Sequence, residues 1–497
     1  MREPAWRENF VSSIRRAVST HWRILLGGVL ILALLGSFLF SARHQIHQFF
    51  KGLTVPPTHP VHITPLALTP GATTSPSGPL TSADWTTYHQ NNSRTGLVAN
   101  TPDPSALSRH WSQSLDGAVY AEPLVVDGKV IAATESDSVY ALSTQTGKVL
   151  WRTKVGNPVP LADLPCGDID PLGITSTPVY DPHTGLVFAV AEIQGPAHVL
   201  VGLDVTTGQI KVRRLVDPPG IDPLAYQQRA ALALSGGNVY VSFGGLYGDC
   251  GNYRGTVVAS RTDGSGPLLT FQVPTTREGA IWAASGPTLD AQGNLYVSVG
   301  NGAATGGAWD HTDSVLKLSP SLHLEDSFAP QRWAQDNASD LDLGSLGPVF
   351  LANGLLFIQG KSSQGYLLHA QHLGGVGGEI ETISACADGA YGGAAGNGSV
   401  EFIPCADGLQ QINLGPGGRL SNGWQAPNQV TGSPVVGGNT VYSLDPGGGT
   451  LYALNAATGS VRATVSVGVA SRFATPTLSS TTLYVGTLTG IVAVSIV

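Results

Sequence analysis

Four cysteines, at positions 166, 250, 386 and 405, carry the most constrained chemistry in this 497-residue chain. An even count without C-x-x-C or zinc-type spacing leaves two readings, a pair of disulfides or four buried thiols. No His or Lys cluster accompanies them, so reactive thiolates are not expected. Asp163, Asp168 and Asp170 flank Cys166. Carboxylates so spaced either hold a hard cation or are solvated loop acids. Tyr226, Arg229 and Glu278 stand in similar loop-like stretches, and Trp282 and Trp309 supply aromatic surface. His89, His110, His198, His311 and His369 are scattered, which predicts structural or surface histidines. The sequence contains no G-x-S-x-G elbow, P-loop, H-E-x-x-H pair or C-x-x-C-H haem site.

The elements that must position these residues are short strands. With 63 Gly, 33 Pro and only 12% charged residues, the composition points to turn-dense β structure rather than to a helical bundle or a disordered chain. The formal charge of -8 is uneven: residues 1–52 hold seven basic and two acidic side chains, the remainder 19 basic and 32 acidic. A body that acidic is a poor nucleic-acid binder, because phosphate neutralisation needs clustered Lys and Arg.

Residues 24–42, ILLGGVLILALLGSFLFSA, are free of charge. As a helix they would span about 28 Å, close to the roughly 30 Å of a bilayer core. Arg2, Arg7, Arg15, Arg16 and Arg23 precede them, so residues 1–23 are expected in the cytoplasm and everything after the span outside. A cleaved signal peptide is the alternative, although LGSFLFSARHQ offers no clean small-x-small site. Residues 43–82 form a Pro/Thr/Ser-rich linker, whose stretch from 53 onward carries seven Pro, seven Thr and no charge. Residues 83–497 make the folded domain.

That domain is repetitive. Small residues next to Pro123, Pro178, Pro287, Pro348, Pro434 and Pro476 open short apolar strands, and RAALAL and GGAAGNG occupy the two places where the Pro is missing. Each opening is followed by a Gly-led apolar strand such as GKVIAAT, then by an alternating strand with a T-G turn such as SVYALSTQTGKVLW. Units of about 50 residues with four strands each predict an eight-bladed β-propeller. The chain stops after the third strand of the eighth unit. HWSQSLDG, upstream of the first unit, repeats the spacing of LWRTKVG, so residues 107–115 are expected to close the ring and remove its open edge.

In a propeller the loops between fourth and first strands share a face with those between second and third strands. All four cysteines fall in these loops, as do the long stretches 157–174, 215–228, 302–313 and 329–343. Cys386 and Cys405 are centred beside the Gly-Asn-Gly tip at 396–398. An antiparallel pair there would set them opposite each other, which predicts Cys386 with Cys405 and Cys166 with Cys250; four buried free thiols are the alternative. Tyr140, Tyr240, Tyr296, Phe357, Tyr452 and Tyr484 alternate with small residues and are expected in the core.

The chain resembles the eight-bladed quinoprotein-like propellers with PQQ-type repeats. The residues that carry the likeness are DWTTYHQNNSRTG (84–96), the turns of VYALSTQTGKVLW, GLDVTTGQI and LYALNAATGSV, and IWAASGPTLDAQGNLYVSVGNG (281–302). Members range from dehydrogenases to non-catalytic assembly scaffolds. The dehydrogenases hold PQQ with a Ca²⁺ bound by Glu, Asn and Asp, beneath a disulfide of adjacent cysteines, with an Asp as base. Carried over, the resemblance implies Asn301 as the calcium Asn, Asp336, Asp340 or Asp342 as the base, and Trp282 against the cofactor. Cys250 stands where the calcium Glu belongs, with Asp249 as the nearest acid, and no adjacent Cys pair occurs. The expectation is therefore a membrane-anchored extracytoplasmic scaffold without cofactor, binding a protein, an envelope polymer or a small ligand on the loop-rich face. The alternative is a PQQ- and calcium-dependent oxidoreductase of an alcohol, sugar or polymeric alcohol.

Overall fold

The computed structural model describes residues 80–220 and 222–497. The basic segment 1–23, the span 24–42 and the linker up to residue 79 lie outside the described residues. Among the described residues no helix is long and apolar enough to cross a membrane.

Eight sheets, antiparallel except where Leu97–Val98 and Gly375–Val376 add short parallel strands to two of them, make eight blades. Blade one consists of Leu124–Val126, Lys129–Thr134, Ser138–Ser143 and Val149–Lys154, and the following six blades repeat its order. In blade eight, Thr477–Ser479, Thr482–Thr487 and Gly490–Ile496 are joined on the outside by Leu107–Ser114, with Leu107 opposite Ile496 and Trp111 opposite Ala493. The ring therefore closes with its first and last stretches in one sheet, as the spacing of Trp111 predicts.

Burial explains the patterning. Inner strands are covered on both faces by neighbouring blades and read as apolar runs; all eight residues of Leu186–Ile193 are buried. Fourth strands face solvent on one side, so Val149–Lys154 alternates between exposed and half-buried positions. Tyr140, Tyr240, Tyr296, Phe357 and Tyr484 lie in the core, whereas Tyr452, also expected there, is only half-buried.

Residues 85–98 cross the far ends of the first strands, opposite the long loops. Trp85 N–H donates to Val125 O (2.6 Å), Tyr180 N–H to Thr86 O (2.8 Å), Leu289 N–H to Asn92 O (2.8 Å) and Val436 N–H to Gly96 O (2.7 Å). Arg94, buried, donates to Pro287 O (3.1 Å) and Leu232 O (3.0 Å). His89 is also buried and holds Ala394 O at 3.0 Å and Thr475 Oγ1 at 3.1 Å; burial lowers its pKa to about 3, so it acts as a neutral strut. This DWTTYHQNNSRTG segment plugs one end of the central channel.

Candidate functional site

The other end opens, between the long loops, into a cleft of about 820 Å³, inside the usual size range of ligand pockets. Each wall comes from an interblade or second-to-third-strand loop. Asp249 belongs to the loop after Asn238–Gly245, Asn301 follows Leu295–Val299, and Lys361 follows Leu355–Gln359. Trp282, Asp340, Asp342, Tyr391, Arg472 and Phe473 come from loops between blades.

Of the residues singled out from the sequence, Asn301, Asp249, Trp282, Asp340 and Asp342 share this cleft. Asp168 and Arg229 line it as well. Asp336 does not: it sits in the short helix Trp333–Ala338, buried, with its carboxylate 2.7 Å from Arg332 Nε. The helix withdraws Asp336 from the cleft, while the turn after it delivers Asp340 and Asp342. Asp163, Asp168 and Asp170 form no cation cluster; among the described residues no group of three His, Cys, Asp or Glu has metal-holding geometry.

Asp342 is the best-anchored acid. Its Oδ1 accepts the Asn301 N–H at 2.6 Å and its Oδ2 lies 2.5 Å from Lys361 Nζ, which also reaches Asp340 Oδ1 at 2.7 Å. A Cβ on Gly300 would stand 2.1 Å from Asp342 Oδ1, so this approach requires glycine there. Burial pushes the Asp342 carboxyl up and Lys361 pulls it back. Burial also works against the Lys361 charge, but Asp342 and Asp340 outweigh it and hold the ammonium above the ordinary lysine value. Asp249 Oδ1 accepts from Tyr253 Oη at 2.5 Å.

Both predicted disulfides form, Cys166–Cys250 and Cys386–Cys405, and no described cysteine is free. The strand register expected for the second pair does not. The ladder pairs Ala395 with Phe402, and Cys405 faces Ala390 in an isolated bridge, because the chain leaves the sheet before reaching Cys386.

Calcium with PQQ requires free oxygen ligands at the Asn301 position. Both oxygens of Asp342 are engaged by Lys361 and the Asn301 amide, and Cys250 is tied to Cys166 and cannot ligate. Of the positions that the resemblance would give a calcium ion, Cys250 is thereby excluded, while Asn301 stays in the cleft.

Sequence reasoning missed Lys361 and Phe473. Lys361 follows the apolar strand LLFIQ after a single glycine in a chain poor in lysine, which is a readable signal. Phe473 has none, since it sits in a bend between Val461–Ser466 and Thr477–Ser479. Its ring centroid is 6.0 Å from that of Trp282 and 6.4 Å from that of Tyr391, with the Arg229 guanidinium 5.2 Å away; Arg472 lies 4.1 Å over Tyr391. The floor of the cleft is thus an aromatic cluster interleaved with guanidinium groups.

Comparison with known proteins agrees with this architecture. Quinohemoprotein alcohol dehydrogenase from Comamonas testosteroni is 16% identical over 85% of this chain and 81% of its own, with a TM-score of 0.64. A europium-containing methanol dehydrogenase is 14% identical over 84% of this chain and 98% of its own, TM-score 0.66. BamB from Moraxella catarrhalis is 16% identical over 79% of this chain and 100% of its own, TM-score 0.54. At these identities the likeness concerns the fold. Among curated proteins none matches in sequence. A family model described as outer membrane protein assembly factor BamB matches residues 103–371, more than half of the chain, and on that match the chain belongs to this family of PQQ-like β-propellers.

Proposed function

We propose that the chain is a membrane-anchored binding propeller whose loop-rich face, with the cleft at its centre, receives a ligand or partner without calcium or quinone chemistry. The observation that carries this reading is the Lys361 ammonium lodged between Asp340 and Asp342 at 2.7 and 2.5 Å, where a divalent ion would otherwise have to neutralise the acids. The family description, an assembly factor, supports a protein partner on the same face. Two disulfides suit an oxidising compartment, in keeping with residues 24–42 as a retained anchor, residues 1–23 in the cytoplasm and the propeller outside.

A second reading, a PQQ- and calcium-dependent oxidoreductase of an alcohol, sugar or polymeric alcohol, draws on Asn301, Asp249, Asp342 and Trp282 sharing one cleft. Titrating the full chain with PQQ and Ca²⁺, followed by absorbance and a dye-linked alcohol assay, separates the two. The binding reading expects neither a bound-quinone band nor dye reduction. Both together would establish the enzyme, with Asp340 or Asp342 as the candidate base. The cleft itself is tested by thermal shift against neutral polyols, carboxylates and amines; stabilisation by one class, lost in Trp282→Ala, is the expected result.

A further inference from the structure

The rim of the cleft over the seam between blades seven and eight carries a charge that the fold leaves unused. Arg472 lies in the bend between Val461–Ser466 and Thr477–Ser479 and is exposed. Its guanidinium stands 4.1 Å from the centroid of the Tyr391 ring and 5.8 Å from that of Phe473. Among the described residues it has no carboxylate partner and no hydrogen bond. Aromatic contact restrains a long side chain that would otherwise be free, while the N–H fork stays open to an incoming acceptor. A carboxylate matches that fork with two parallel hydrogen bonds.

The other cations of the cleft already have partners in the chain. Lys361 is held by Asp340 and Asp342. Arg229, half-buried beside Phe473, donates to Gln227 Oε1 at 3.2 Å and has Asp168 Oδ1 at 4.0 Å. Asp249 belongs to blade three, across the ring from the blade seven to eight seam, and accepts from Tyr253. Arg472 alone among these cations lacks an acid.

Apolar surface adjoins it. Val469 is 49% exposed and Leu488 39%, and the Leu488 N–H donates to Val469 O at 2.9 Å, which sets the two residues side by side. Leu488 lines the cleft and Val469 does not, so the patch runs over the rim. A ligand confined to the cleft would leave Val469 in water, whereas a protein segment crossing the rim would cover it. Arg and Tyr beside half-exposed apolar side chains are the composition of protein contact hot spots. The domain's surplus of acids, 32 against 19 basic residues after position 52, would repel a run of carboxylates. The match is therefore one carboxylate next to an apolar residue.

We infer that Val469, Arg472, Phe473, Tyr391 and Leu488 dock a protein segment in which an Asp or Glu stands beside an apolar residue. The carboxylate pairs with Arg472, and the apolar side chain covers Val469 and Leu488. The inference deepens the binding reading of the loop-rich face and rests on it.

The test uses the full chain in detergent and calorimetric titration with short peptides that carry one Glu flanked by Leu in a Ser/Gly background. Analogues replace the Glu by Gln or by Lys. The Glu peptide is expected to bind, and the Gln analogue about tenfold more weakly, as loss of one charge-assisted contact predicts. Arg472→Ala should cost the Glu peptide about tenfold and bring the two peptides level. Arg472→Lys keeps the charge but loses the fork, and should recover only part of that loss. Leu488→Ser should weaken both peptides alike. The melting temperature of unliganded Arg472→Ala should match the wild type, because the side chain bonds to nothing, so weaker binding would not reflect a damaged fold. Equal affinity for the Glu and Gln peptides, or a preference for the Lys peptide, would overturn the charge assignment. Benzoate binding as tightly as the Glu peptide would overturn the protein segment in favour of a small acid. Silence from every peptide would overturn the inference alone, since the cleft is judged by its own thermal-shift series.

Discussion

Trp111 stacks on Gly147: a Cβ on that glycine would lie 2.5 Å from Trp111 Cε3, and the indole N–H donates to Thr144 O at 2.9 Å. Trp111 belongs to the outer strand of blade eight and Gly147 to the T-G turn of blade one, so this contact seals the ring. The geometry recurs where Trp151 meets Gly208 and Val205 O (3.0 Å), and where Trp424 meets Gly459 and Ala456 O (2.9 Å). The T-G turn thus has a physical purpose: its glycine, with φ of +68° at Gly147, makes room for the indole of the preceding blade.

Trp111→Ala should lower the stability of the propeller by about 2 kcal/mol through lost apolar burial and one hydrogen bond. Gly147→Ala should cost about 1 to 2 kcal/mol from the positive φ alone, with the steric clash added. Urea denaturation measures both. Losses under about 0.5 kcal/mol for both would mean that the seam does not hold the ring.

Lys361→Met leaves Asp342 buried without its counter-charge. Breaking such a pair costs about 3 to 5 kcal/mol, part of which Asp342 recovers by taking up a proton. The wild-type melting temperature is expected to be indifferent to millimolar Ca²⁺, whereas Lys361→Met should gain several degrees, because the freed carboxylates of Asp340 and Asp342 offer hard oxygen ligands. Calcium stabilisation of the wild type would contradict the role assigned to the ammonium.

The disulfides differ in loop length, with 84 residues separating Cys166 from Cys250 and 19 separating Cys386 from Cys405. Chain entropy makes the longer loop worth roughly 1 kcal/mol more, on a base of about 2 to 4 kcal/mol each. Paired Cys→Ser variants compared by denaturation should show that order. A thiol reagent should find no free sulfhydryl in the unreduced chain, even unfolded; four titratable thiols would refute the pairing.

Much of the ring was readable because its signals are local. Apolar runs in doubly covered strands, T-G turns at fixed offsets and Trp111 at the spacing of Trp151 each report one blade's environment. The cleft was only partly readable. Asn301 and Asp342 stand in recognisable stretches, but Asp336 carries the same side chain six residues before Asp342 and is turned away by one helical turn. Phe473 owes its position to the convergence of several blades on one axis, a relationship that no window of sequence contains. The register slip at Cys386 has the same origin, since a chain leaving its sheet obeys loop packing rather than strand alternation.

A last prediction concerns pH. Asp137, at the turn between the second and third strands of blade one, is buried and pushed up to about 8; Lys154 and Arg213 lower it in part, while Glu135 and Glu192 push it further. Burial likewise raises Glu135 to about 7 and Glu401 to about 8. Each of these acids keeps its proton in the folded chain at pH values where the unfolded chain has lost it, so each withdraws stability as pH climbs from about 4 to its folded value. For His198 burial opposes the charge, but Glu192 at 3.3 Å and Asp217 at 2.9 Å prevail and hold it up to about 9. Its contribution is complete below 6.5 and disappears as pH rises through 9. Both effects carry the same sign, so the melting temperature should fall steadily from pH 5 to pH 9. Asp137→Asn removes one carboxyl from this balance and should flatten the slope while raising the melting temperature at pH 8. A profile that is level or rising across that range would show that these buried acids stay ionised in the folded chain after all.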